Sequence, residues 1–206
     1  MLEHYAWWLL FFPLVGVVIN AFFSRRLGKK LVSWVACGAV GLSFIVALSL
    51  LWGLTRMPAH LRSISDTLFT WIAVGDFEVQ ASLLIDPLSV LMATVVTGVG
   101  FIIHVYSVGY MADDERYGRY FTFLNLFVLS MLILVLGDNF LVMYVGWEAV
   151  GLCSYLLIGF WFEKPSAAEA GKKAFIVNRI GDFGFALGVM LIFFTFRTLN
   201  FHKVFE

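Results

Sequence analysis

From Asn139 to Trp161 the chain runs for 23 residues with a single charged side chain, Glu148, near the middle. At a rise of ~1.5 Å per residue such a helix reaches ~34 Å, enough to cross a bilayer core of ~30 Å. A carboxylate at that depth costs at least ~2.5 kcal/mol on insertion scales. An intramembrane acid is therefore a candidate proton or ion site. The competing reading is structural, with a neutral carboxyl hydrogen-bonded to a neighbouring helix.

The run is one of six. Apolar stretches over residues 5–23, 31–54, 84–106, 120–136, 139–161 and 172–197 make the chain an all-α polytopic membrane protein with six transmembrane helices. Charged residues are only 14% of the chain, against the ~25% usual for a soluble domain. The formal net charge is zero, which argues against a nucleic-acid partner and leaves the lipid bilayer as the expected surroundings. Cys37 and Cys153 stand alone in apolar runs, with no Cys/His grouping for zinc, an iron–sulfur cluster or haem. The first apolar run has no basic region before it and no small-residue cleavage site after it, so it reads as a span rather than a leader.

Loop charges predict an orientation. Nine basic residues (Arg25, Arg26, Lys29, Lys30, Arg116, Arg119, Lys164, Lys172, Lys173) fall on one set of alternate ends and four (Arg56, Arg62, Arg197, Lys203) on the other. The richer side is expected to be cytoplasmic, with the N-terminus, the C-terminus and the 55–83 loop outside. Within that loop, residues 69–82 alternate in period two about Gly75-Asp76, the pattern of a β-hairpin with a type II′ turn. Asp86-Pro87 reads as an N-cap followed by proline at the first helical position. Asp138 reads as an exposed cap of the fifth span, and Ser166-Ala167-Ala168-Glu169 as a capping box for the sixth.

Glu148 shares a helical face with Tyr144, Gly151 and Tyr155, and Gly146, Ala149, Gly151 and Ser154 let another helix approach closely. Burial favours a neutral acid and a nearby cation favours the carboxylate, so moving the cation moves the proton. That cation has to come from another helix. The sixth span supplies Lys172, Lys173, Asn178, Arg179 and Asp182. Arg179 and Asp182, at i and i+3, can pair directly, and Lys172 falls on the same stripe within ~80° on the helical wheel. The stripe reads either as a hydrated charge track leading inward or as a structural ion pair, with Lys173 reaching to the interface. His104, near the inner end of the third span, reads as a hydrogen-bonded packing residue in preference to a relay.

The segments GDNFLVMYVGWEAVGLCSYLLIGFW and KKAFIVNRIGDFGFALG resemble the chain 5, or subunit L, family of respiratory NADH:quinone oxidoreductase (complex I), as do LLIDPLSVLMATVVTGVGFIIHVYSVGYM and DERYGRYFTFLNLF. The large subunit of multi-subunit sodium/proton antiporters shares much of this pattern. On this resemblance residues 1–62 carry the first two helices, 63–118 the N-terminal family region, and 119–206 the start of the antiporter-like transmembrane domain.

The resemblance implies a proton-translocating membrane-arm subunit without a redox centre of its own. NADH, FMN, iron–sulfur clusters and quinone are expected in partner subunits, and other membrane-arm subunits of complex I are the expected partners. A bacterial inner membrane is the expected location, with the mitochondrial inner membrane or a thylakoid as alternatives. The family's fifth-helix glutamate falls on Glu148 and its sixth-helix arginine and aspartate on Arg179 and Asp182, with Lys172 beside them. The family's outer-face hairpin falls on residues 69–82. In the family the glutamate's partner is a lysine on a broken seventh helix. Family members have more than a dozen helices, and this sequence stops at Glu206, so it is expected to be an N-terminal fragment with Glu148 uncompensated and protonated.

Overall fold

The computed structural model describes residues 4–75 and 77–205. The longest helix, α1 (Trp7–Thr55), has 49 residues. At ~1.5 Å per residue it would measure ~73 Å if straight, more than twice the bilayer core. It is broken at Gly28, whose φ of 71° and ψ of 161° lie outside helical space. The two limbs fold back on each other, with Ser43 Oγ of the second donating to the Leu9 carbonyl of the first at 3.0 Å. The first two expected spans are these two limbs.

Only glycine adopts that conformation without strain, and a Cβ at Gly28 would meet nothing within 4 Å. The requirement is thus conformational and not steric. Gly28→Ala should cost about 1–3 kcal/mol, read as a lower unfolding midpoint in detergent. An unchanged midpoint would show that the turn finds another backbone path.

After a 3₁₀ turn, strands β1 (Ile64–Val74) and β2 (Phe77–Ile85) form an antiparallel hairpin, pairing Ile64 with Ile85 and Val74 with Phe77. It is longer than the alternation at 69–82 implied. The added residues include Ser65 and Asp66, whose side chains find partners from distant segments. Register shifts at Thr67/Phe69 and Thr70/Ile72 break the alternation of β1 and leave Leu68, Phe69 and Trp71 exposed. Gly75 has φ of +58°; the type of turn rests also on Asp76, which lies outside the described residues.

Helices α2 (Pro87–Tyr110), α3 (Tyr117–Leu136), α4 (Phe140–Ile158) and α5 (Pro165–Phe196) complete the bundle, and a short α6 (Phe201–Phe205) follows. Each of the first four is long and apolar enough to cross a membrane, as is α1. A backbone in hydrocarbon must satisfy its own polar groups, which a helix does. The main core joins α1, α2 and α3 through Leu9, Val40, Leu50, Val90, Val128 and Leu132.

Helix α4 packs on α3 at Gly146, where an added Cβ would lie 2.5 Å from the Leu134 backbone nitrogen. This is the close approach expected of the small residues around Glu148. Helix α5 closes the row against α4, and Val79 of the hairpin, Val189 and Leu199 form a small outer core with Phe77 and Phe193 packed around it.

The caps bear out Asp86 and correct the expectations for Asp138 and for the Ser166–Glu169 box. Asp86 and Ser89 form a reciprocal capping box at the start of α2. Asn139, not Asp138, caps α4 by accepting from the Val142 amide at 2.9 Å. Asp138 is not exposed: it is 1% accessible, because its carboxylate is drawn inward by donors from three other segments. Helix α5 starts at Pro165 with Lys164 as N-cap and no side-chain cap, so Ser166 and Glu169 lie within its first turns and not at a capping box.

The hydrogen bonds also give each end of the bundle its members. Lys29 Nζ donates to the Ala112 carbonyl at 2.6 Å, Trp161 Nε1 to Asp114 at 2.9 Å, and Arg116 pairs with Glu163. The basic turns thus gather at one end. The His4 amide donates to Asp66 at 2.6 Å and Asn200 Nδ2 to Asp138 at 3.2 Å, which puts the N-terminal turn, the hairpin and the α5–α6 link at the other.

Candidate functional site

The site lies between α4 and α5, at mid-length of both. Tyr144, Trp147 and Glu148 fall on consecutive turns of one α4 face, and Arg179, Asp182 and Phe185 answer them from α5. The Arg179 guanidinium reaches Glu148 Oε2 at 2.5 Å and stands 3.9 Å from Asp182 Oδ2. The remaining carboxylate oxygens are also engaged. Tyr144 Oη donates to Glu148 Oε1 at 2.8 Å, and Trp147 Nε1 donates to Asp182 Oδ1 at 2.8 Å. Phe185 packs edge-on against both the Tyr144 and Trp147 rings, and Arg179 lies over the Phe175 ring at 4.9 Å.

Charge follows from this count of groups. One guanidinium serves two carboxylates, and no second cation lies within 4 Å of either among the described residues. With both acids ionised, one negative charge is left over. A single proton neutralises the cluster, and the position of the Arg179 head selects which carboxylate it neutralises instead. The two acids differ in setting. Asp182 is 4% accessible, whereas Glu148 is 24% accessible and opens toward the uncovered face of α4 and α5.

Three of the four sequence candidates, Glu148, Arg179 and Asp182, therefore meet. The cation for Glu148 comes from another helix, as anticipated, but it is Arg179, and the expectation of an uncompensated Glu148 is corrected. Arg179 bridges across because α4 and α5 pack side by side, bringing residues 31 apart in sequence into contact. Lys172 does not join them. It lies seven residues before Arg179, ~10 Å along the axis, exposed, and takes part in no ion pair within 4 Å among the described residues. Lys173 is exposed beside it.

His104 is buried in α2, with Nδ1 donating to the Gly100 carbonyl at 2.8 Å and its ring near Phe121, the packing role anticipated for it. Trp147 and Tyr144 complete the site. Trp147 was missed because an indole in an apolar run carries no polar signal until its partner is known.

Two family models match the chain: complex I chain 5 N-terminus over residues 71–121, and NADH:quinone oxidoreductase/Mrp antiporter transmembrane region over residues 137–206. NADH-quinone oxidoreductase subunit L of Mycobacterium tuberculosis is 48% identical over 205 residues, covering 98% of this chain. The chain belongs to the subunit L family.

Subunit L of Escherichia coli K12 is 44% identical over 194 residues, and that of Pseudomonas aeruginosa 45% over 193. The chain spans about a third of the length of these subunit L relatives: 32% of the first and 31% of the other two. Two solved structures share the fold. The Mrp complex from Dietzia superposes with a TM-score of 0.77 at 24% identity, over 95% of this chain and 20% of that one. The archaeal membrane-bound sulfane sulfur reductase does so with a TM-score of 0.82 at 20% identity, over 97% of this chain and 39% of that one. The chain is an integral membrane protein of this family.

Proposed function

We propose that this chain forms part of a proton-translocating membrane-arm subunit of an NADH:quinone oxidoreductase, coupling electron transfer from NADH to quinone to proton movement. The observation that carries this reading is the shared cation: Arg179 stands between two carboxylates of unequal burial on neighbouring membrane helices. A device that moves a proton through a membrane needs an acid whose charge is compensated in one state and released in another. With Arg179 on Glu148, the glutamate's charge is compensated. When the guanidinium swings to Asp182, Glu148 loses its compensating charge and becomes the carboxylate open to a new positive partner. Tyr144 and Trp147 keep the two carboxylates oriented through the exchange. Lys172, at the basic end of α5, is the residue proposed to pass protons toward the pair.

In this reading the electron carriers (NADH, FMN, iron–sulfur clusters and quinone) belong to partner subunits. Other membrane-arm subunits pack against the uncovered face of α4 and α5. The membrane is the bacterial inner membrane, with the basic end cytoplasmic and the N-terminal turn outside.

The test is Glu148→Gln in the full-length subunit within its complex, reconstituted in vesicles. NADH-driven proton uptake should fall severalfold or more, with assembly retained. Full pumping in that variant would remove Glu148 from the path. A second reading, the large subunit of a sodium/proton antiporter, is favoured by the Mrp half of the second family description. It predicts sodium-dependent proton exchange without NADH oxidation.

A further inference from the structure

At the basic end of the bundle a hollow of about 360 Å3, with both polar and apolar walls, opens between the first limb of α1 and the start of α3. Asn20, Arg25, Arg119 and Thr122 line it, with Phe22 and Phe123 on its apolar side. A second hollow of about 330 Å3 shares Ser24, Arg25 and Arg119 and continues outward to Glu115 and Arg116. Two properties set this place apart from an ordinary seam between helices.

The first is an orphan. Asn20 is 0% accessible, yet neither Nδ2 nor Oδ1 of its amide has a hydrogen-bond partner. Buried amides are almost always satisfied, so an amide left with both ends free at the wall of a hollow points to an absent partner. The second is charge. Among the described residues Arg25 and Arg119 have no carboxylate within 4 Å, whereas neighbouring Arg116 is held by Glu163. Arg119 is braced against the Phe123 and Phe162 rings, which fixes its position without neutralising it.

Depth and chemistry agree on the occupant. Asn20 lies five residues before Arg25, ~7.5 Å further into the membrane along the helix. The polar headgroup layer of one leaflet is ~5–7 Å thick, so with the arginines at phosphate level the amide would fall at the level of the glycerol esters. Phe22, 76% exposed, extends outward beside them, where acyl chains run. We propose that this hollow seats the headgroup of an anionic phospholipid. Arg25 and Arg119 hold the phosphodiester, Asn20 Nδ2 donates to a glycerol ester carbonyl, and Phe22 lies along the acyl chain. Glu115, at the outer rim, disfavours a second phosphate there.

A free phosphate would satisfy the arginines but would leave Asn20 unpaired, and the two occupants can be told apart. The full chain in phosphatidylcholine bicelles is titrated with phosphatidylglycerol, with additional phosphatidylcholine, or with inorganic phosphate, and its unfolding midpoint is followed. Phosphatidylglycerol should raise the midpoint saturably and the other two should not. Arg25→Gln with Arg119→Gln should weaken the phosphatidylglycerol response about 30-fold. Asn20→Leu removes the orphan amide without emptying the seam. It should raise or preserve the lipid-free midpoint while weakening the lipid response severalfold. Stabilisation by inorganic phosphate equal to that by the lipid, or a wild-type lipid response in the double arginine variant or in Asn20→Leu, would overturn the proposal.

Discussion

Arg179→Gln lowers the stability of the chain by about 3 kcal/mol, and adding Glu148→Gln to it recovers most of that loss. The reason is asymmetry. Removing one partner of a shielded ion pair leaves the other charged and poorly solvated, which costs ~3–5 kcal/mol, whereas removing both costs little. The lower end applies because Arg179 is 51% accessible and part of its interaction is screened. The remainder is specific to this cluster: without the guanidinium, Glu148 and Asp182 face each other with no cation within 4 Å among the described residues. Glu148→Gln alone is mild, since Tyr144 still has an acceptor and Arg179 still has Asp182. The check is a four-way cycle of denaturation midpoints in one detergent. Additive single effects would mean that the 2.5 Å contact contributes no coupling.

Asp138→Ala costs about 4 kcal/mol and loosens the hairpin first. The Asp138 carboxylate accepts from Ser65 of β1 at 2.6 Å, Ser82 of β2 at 3.1 Å and Asn200 of the α5–α6 link at 3.2 Å, all through Oδ2. Its backbone continues the join, donating to the Ser82 carbonyl and accepting from the Phe201 amide, both at 3.3 Å. Truncation leaves the 1% accessible Ser82 hydroxyl and the Asn200 amide without their acceptor. Hydrogen bonds to a charged group each contribute about 1.5–3 kcal/mol, and the three share one oxygen, so their sum is less than additive. Hydrogen exchange reads the effect directly. Amides of β1 and β2 should lose protection before those of α3 and α4. Uniform loss across the bundle would show that Asp138 supports the whole fold and not this junction. Asp138→Asn, which keeps one acceptor oxygen, should cost about half as much.

How much of this was legible beforehand can be traced through particular residues. The hairpin was visible because alternation about Gly75 is a local signal, yet its ends were not. Ser65 and Asp66 read as loop until the Asp138 carboxylate and the His4 amide appear beside them. Asp138 itself was misread because an acid before a helix is usually a solvated cap, and only the packing of the hairpin over the α3–α4 turn buries it. The Ser166–Glu169 box failed for a plainer reason: Pro165, already competent at the first helical position, let α5 begin earlier.

By itself the sequence determined where the chain crosses the membrane, which turns share an end, and that Glu148, Arg179 and Asp182 are embedded charges. Hydropathy, periodicity and charge spacing are properties of neighbours in the chain, so they can be read without the fold. Only the tertiary structure decided which cation meets Glu148, that Lys172 stands apart from it, and that Trp147 and Tyr144 hold the two carboxylates. Those outcomes depend on the rotation and separation of α4 against α5, where a Cβ at Gly171 would lie 3.3 Å from the Gly159 Cα, and no local pattern encodes the rotation of one helix against another.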